Sequence, residues 1–275
     1  MKVRNLLLML SFIALITFSC KDDDDDIPAK VSVQTFDVEL DNAYEIPMVM
    51  GRNETGDIQM NLFDDNSLEF TITVNNLMST DALTKAHVHT GDVVTAGSVA
   101  ITLVDGTDIA FSGNMATGTI TLTDGEVATL KGSDVYVNVH STEETAGLVR
   151  GQIDQTIDNA YNVALSPANE IPAITGRNET GVAYLRIIGN TMIYKAMVND
   201  LDATDAITAG HIHEGAEDVN GGVLVNLGFT DDAQLDITKS LTLSDDELTK
   251  INNDALYVNI HSTQHGGGLL RGQIR

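Results

Sequence analysis

At 275 residues, with 43% hydrophobic and 20% charged residues, the chain is long enough for two folded domains and too apolar to be disordered. Its formal net charge of −25 repels phosphate backbones and speaks against nucleic-acid binding. With no tryptophan and only 5% aromatic residues, the core must be made mainly of Val, Ile, Leu and Met.

In chain order, the first feature is a targeting segment. Lys2 and Arg4 precede an apolar run, 6–18, that ends at Ser19-Cys20. The run is too short and wrongly flanked for a membrane span and has the shape of a secretory signal. It resembles a bacterial lipoprotein signal, in which residues 1–19 are removed and Cys20 carries the lipid; Thr17 stands where Leu or Val is commoner. Residues 20–30 then read as an acidic linker. Its KDDDDD stretch, 21–26, is a solvated spacer by composition and resembles the export signal of surface-exposed lipoproteins of the Bacteroidetes group. The expected location is the outer membrane through the lipid on Cys20, at the cell surface or otherwise facing the periplasm. Cys20 is the only cysteine, so no intramolecular disulfide can form.

The remainder is a duplication. NAYEIPMVMGRNETG (42–56) recurs as PANEIPAITGRNETG (167–181), KAHVHTG (85–91) as AGHIHEG (209–215), and DVYVNVHSTEETAGLVRGQI (134–153) as ALYVNIHSTQHGGGLLRGQI (255–274). Two domains follow, 31–153 and 159–275, and the short joint between them predicts that the copies pack on each other. Within a copy, alternating β-branched runs such as 68–74, 120–122 and 136–139 predict strands. Asp-Gly, Asp-Asp-Asn and Ser-Gly-Asn turns punctuate them at short intervals. About eight short strands per copy predict an all-β fold: two tandem antiparallel, Greek-key-like β-sandwiches. Short helical turns are expected at 123–130 and 244–251, the latter capped by Ser244.

Six of the seven histidines fall at matching positions of the two copies. In a strand, residues i and i+2 share a face about 7 Å apart, so His87 and His89 project together, as do His211 and His213. In YVNVH the residues Tyr136, Asn138 and His140 share a face, and YVNIH repeats this with His261. Each copy thus has three imidazoles able to meet at one metal ion, copper before zinc, with structural hydrogen bonding as the alternative role. Calcium is a weaker competitor: Asp92, Glu214, Glu217, Asp218 and Asn220 supply oxygens without a recognisable binding-loop spacing. Arg150 and Arg271 recur before the last strand; each could hold an anion near a metal or form a strand-end salt bridge. The Asn-Glu-Thr of each GRNETG is formally a glycosylation acceptor, and Gly51 and Gly56 are expected to shape a hairpin. No nucleophile–base arrangement, phosphate loop or nucleotide fingerprint is visible, and no organic cofactor is expected.

The EIP segment, His-Val/Ile-His-x-Gly, and YVN-Val/Ile-His with Leu-Val/Leu-Arg-Gly-Gln-Ile together resemble the CHRD domain, twice over. The match covers nearly all of 31–275. Loops 143–147 and 264–268 depart from that family's usual pattern. A more distant similarity is to copper-zinc superoxide dismutase, itself a β-sandwich. By that resemblance His87, His89 and His140 would hold copper with Arg150 attracting superoxide, and His211, His213, His261 and Arg271 would repeat the arrangement. The bridging histidine, zinc ligands and disulfide of that family have no counterpart here. The charge of −27 left after residues 1–19 opposes capture of an anionic substrate. The expectation is therefore an envelope binding module with a protein partner, in preference to a redox enzyme or a purely structural protein.

Overall fold

Alternating apolar residues set the first sheet. In β1 (Ser32–Asp41), β2 (Thr55–Phe63) and β3 (Ser67–Asn75), the inward positions are Phe36, Val38 and Leu40, then Ile58, Met60 and Leu62, then Leu68, Phe70, Ile72 and Val74. All are buried, each contributing about 1.5–3 kcal/mol. The computed structural model describes residues 30–275, so Cys20, the signal segment and most of the acidic linker lie outside the described residues. β4 (Leu83–Thr90), β5 (Val99–Val104), β6 (Met115–Thr121), α1 (Asp124–Leu130), β7 (Val135–Ser141) and β8 (Val149–Gln152) complete the first copy. The second repeats the order as β9 (Asn159–Leu165), β10 (Thr180–Ile188), β11 (Thr191–Asn199), β12 (Ile207–Glu214), β13 (Val223–Asn226), β14 (Lys239–Thr242), α2 (Asp245–Asn253), β15 (Leu256–Ser262) and β16 (Leu270–Gln273).

Each copy is a sandwich of two four-stranded antiparallel layers. In the first they run β6-β3-β2-β1 and β5-β4-β7-β8, joined at one corner where Asp41 pairs with Arg150. In the second they run β14-β11-β10-β9 and β13-β12-β15-β16, joined where Ser166 pairs with Arg271. β6 returns past β4 and β5 to pair with β3, and β7 returns to pair with β4, which makes the topology Greek-key-like. Both expected helical turns form, each with a capping box, from Thr123 and from Ser244.

The two copies do pack together. Val93, Val94, Tyr44, Ile46 and Met48 of the first join Val182, Tyr184, Ile193 and Met197 of the second in an apolar cluster separate from the two sandwich cores. The contact is head-to-tail: a loop edge of copy one meets the outer face of β10 and β11. That asymmetry explains a difference between the copies. At the same strand positions of β2 and β3, copy one carries Asp57, Gln59, Glu69 and Thr73, because its outer face is not the one covered.

Candidate metal centres

β4 delivers the first pair of histidines by strand alternation: Val88 goes fully into the core, so His87 and His89 go to the opposite face. β7 lies beside β4, pairing His87 with Asn138 and Lys85 with His140, which places His140 diagonally across from His87. His87 Nδ1 lies 3.0 Å from His140 Nε2, and one nitrogen from each of His87, His89 and His140 falls within 4.8 Å of the others. The second copy brings His211, His213 and His261 together in the same way, with His211 Nδ1 3.0 Å from His261 Nε2. His265 joins neither set; its amide donates to Ser262 Oγ in the adjacent loop.

The protonation state of each ring follows from its partners. A carbonyl oxygen only accepts, so the nitrogen facing it must carry the proton. His89 Nδ1 donates to Gly97 O at 3.0 Å and His140 Nδ1 to Thr145 O at 3.1 Å. Their counterparts His213 and His261 donate to Gly221 O and Gly266 O. Every one of these rings therefore presents a bare Nε2 toward its set. Nε2 of His89 and of His213 is buried with no hydrogen-bond partner. Burial, then the neighbouring imidazoles, pulls His87 and His261 down to about 4 and also lowers His140 and His211, while burial, then the charge of Arg150, lowers His89, so these rings are neutral at neutral pH. By the same rule His87 Nδ1 donates to His140 Nε2 and His211 Nδ1 to His261 Nε2, so a metal entering between them would displace that proton. Two nitrogens sharing one ion through bonds of about 2 Å lie at most about 4 Å apart, so the close pair is within range and the third ring needs a shift of about 1 Å. Neutral imidazoles with oriented second nitrogens are the donor set that copper and zinc accept.

A second layer fixes these histidines. Tyr136 stacks on His89 with centroids 5.0 Å apart, and Arg150 lies 3.5 Å from the ring centroid. The strand order β4-β7-β8 puts histidine and arginine on opposite sides of that ring. Tyr257, His213 and Arg271 repeat the stack at 5.0 and 3.5 Å. Gly97 N–H donates to the Tyr136 hydroxyl while Gly97 O holds His89, so one residue serves both. Only glycine suits that position, since a Cβ would overlap the Thr90 carbonyl oxygen.

Arg150 and Arg271 form no ion pair among the described residues. Arg150 donates to Asp92 O and Arg271 to Ala216 O, Val219 O and Asn220 Oδ1. Both are 1% exposed, and no carboxylate among the described residues lies within ion-pair distance, so the strand-end salt bridge does not form. Three of the oxygen-bearing residues are likewise engaged, while Glu217 and Asp218 are exposed: Asp92 accepts from Val94 N–H and Thr238, Glu214 pairs with Lys250, and Asn220 donates to Ile171 O.

Two supports escaped the sequence reading, although their motifs recur. The glutamate of each EIP segment is buried against the asparagine of YVN: Asn138 donates to Glu45 at 3.2 Å and Asn259 to Glu170 at 3.3 Å. Gly147 and Gly268 cover these pairs at φ 152° and 140°, with no room for a Cβ. Burial pushes Glu45 up to about 8 and Glu170 up to about 7. A carboxyl whose pKa rises on folding stabilises the fold fully below its unfolded value, near 4.5, and loses that contribution as pH rises through the folded value. Stability is therefore expected to fall between pH 5 and 9, and Glu45→Gln with Glu170→Gln should flatten that slope in urea titrations. An unchanged slope would contradict the burial of the protonated acids.

The other support is GRNETG. Gly51 does turn the chain at φ 74°, but Gly56 lies inside β2 and turns nothing; its missing Cβ makes room for the Thr73 carbonyl. Arg52 reaches Glu54, Asp81 and Glu143, and Arg177 reaches Glu179, Asp205 and Gln264. Asp81 and Asp205 in turn hold the loops that carry Thr145 and Gly266, the acceptors that orient His140 and His261.

Compared with known families, the chain matches the model of the CHRD domain twice, over residues 36–153 and 161–274. No curated protein and no solved structure gives a match.

Proposed function

Since the chain belongs to the CHRD family and consists of two such domains in tandem, we propose that it is an envelope-anchored binding module carrying one three-histidine transition-metal site per domain. Copper is the favoured occupant. The observation that carries this is the buried, unpartnered Nε2 of His89 and of His213, each on a ring whose other nitrogen is fixed by a carbonyl. A buried acceptor with no donor costs about 1–3 kcal/mol, and a bound cation removes that cost twice over in one chain. His87, His89 and His140 would hold the ion in the first domain, and His211, His213 and His261 in the second. The ion would supply Lewis acidity or a one-electron couple; the protein contributes neutral ligands and fixed tautomers.

Superoxide turnover is the lesser reading. The guanidiniums of Arg150 and Arg271 are fastened to loop carbonyls and separated from the histidines by tyrosine rings, so neither is poised to draw an anion onto the ion. The anchor rests on Cys20, and the partner on the loop edges of the exposed sandwich ends. Isolating the chain from the envelope of its own cells tests both parts. Membrane retention that is lost with Cys20→Ala, and about two copper ions per chain, are expected. A released wild-type chain would overturn the anchor, and a metal-free chain recovered from copper-replete cells would overturn the sites.

A further inference from the structure

The two triads are equivalent in their ligands but not in what holds them. The loop after β4, 91–98, supplies Gly97 O to His89; the loop after β12, 215–222, supplies Gly221 O to His213. Both loops have the same length, yet they are anchored differently. In the second copy Asn220 closes the loop within its own domain: its side chain donates to Ile171 O at 2.7 Å and accepts from Arg271 Nη1 at 3.0 Å. The first copy has Ala96 at that position, which can do neither, and Arg150 Nη1 is left buried without a partner.

What the first loop has instead comes from the other copy. Val93 and Val94, both 0% exposed, sit in the apolar cluster against Tyr184 and the outer face of β10 and β11. Thr238 of the second copy donates to Asp92 Oδ2 at 2.7 Å and lies 3.2 Å from Thr95 Oγ1. The second loop carries Glu217 and Asp218 where the first has the two valines, and both are exposed.

The geometry points to a conditional first site: docking of the second domain orders the loop that orients His89, so metal binding at His87, His89 and His140 depends on the interface, whereas the second triad is self-sufficient. This rests on the three-histidine reading above. It makes the domain interface a regulator of one site only. Anything that separates the domains, by force on the anchored chain or by a partner competing for the face of β10 and β11, releases metal from the first domain and leaves the second loaded.

The test uses the protein from residue 27 to 275, whose 31–275 portion is one compact unit. Val93→Glu with Val94→Asp gives the first loop the residues the second loop already tolerates, and removes the docking contact. In a His213→Ala background, where only the first triad is complete, these changes are expected to weaken copper(II) binding about ten-fold or more, as loss of ligand orientation does elsewhere. Adding Ala96→Asn, which restores the self-contained anchor, should recover most of that loss. In a His89→Ala background the same valine changes should leave the second site within about two-fold of its starting affinity. Unchanged affinity at the first site, or an equal loss at the second, would overturn the proposal. Amide exchange separates this from failure of the metal reading. In the metal-free chain the valine changes should lower protection of Gly97 N–H and spare Gly221 N–H; equal protection before and after would refute the docking role even if no metal binds.

Discussion

Changing His89 and His213 together to alanine is expected to abolish tight copper and zinc binding, taking the chain from about two ions to none. Each single change should remove one ion. The reason for choosing these two is geometric. They are the rings whose Nε2 is buried and unpartnered, whose Nδ1–H is committed to Gly97 O or Gly221 O, and whose face is held by Tyr136 or Tyr257. None of that orientation can be replaced by water. Removing one ligand of three should cost on the order of 3 kcal/mol of binding free energy, or ~100-fold, by scaling from four-ligand structural sites. The fold should survive, because deleting a ring that carries an unsatisfied acceptor also removes a local penalty. A titration read by competition with a coloured chelator measures the effect. Binding that persists undiminished in the double variant would show the histidines to be hydrogen-bonding residues only.

The largest stability effect is expected away from the histidine sets. Asp81→Ala should destabilise the first domain by about 3–5 kcal/mol, and Asp205→Ala the second by a similar amount, because each leaves a buried arginine without its central partner. Asp81 is fully buried at its side chain and accepts from Arg52 at 2.6 Å, Thr142 at 2.7 Å and Glu143 N–H at 3.0 Å. Burial alone would raise its pKa. Hydrogen bonds from Ser141, Thr142 and Arg52 outweigh that and hold it well below the usual carboxylate range. Asp205 is held low in the same way, against burial, by Gln264 N–H, Ser262 and Thr263. Groups depressed on folding stabilise above their unfolded pKa and lose that contribution as pH falls, so both variants should differ least from wild type in strong acid. Urea unfolding followed separately for each domain measures the loss. A change under about 1 kcal/mol would place the network among surface ion pairs of little weight. The same variants should loosen His140 and His261, since the loops they release carry Thr145 O and Gly266 O.

Much of this architecture is legible in the sequence because strand alternation is a strict rule. His-Val-His must put both rings on one face, and YVNVH must put His140 with Asn138 and Tyr136; the duplication then says that the set belongs together. The arginines were not legible. Which carbonyls Arg150 finds depends on how loop 91–98 folds back, and no spacing encodes that. The buried Glu45 was visible only as a recurring letter, since its burial follows from the corner where the two layers of the sandwich meet. The interface was half legible. The short joint implies contact, and the exchange of Asp57, Gln59, Glu69 and Thr73 for Val182, Tyr184, Ile193 and Met197 marks the covered face. Gly56 shows that residue type alone does not encode a turn, since its role is to admit a neighbouring strand's carbonyl.

Metal binding by the two sets of three histidines is open to a single experiment on the whole chain. The most direct test follows the seven histidine ring signals by nuclear magnetic resonance while the metal-free chain is titrated with zinc(II), and then with copper(I). His87, His89, His140, His211, His213 and His261 are all expected to shift and to saturate near two equivalents while His265 stays in place. Six unmoved signals, or a shift confined to His265, would contradict it.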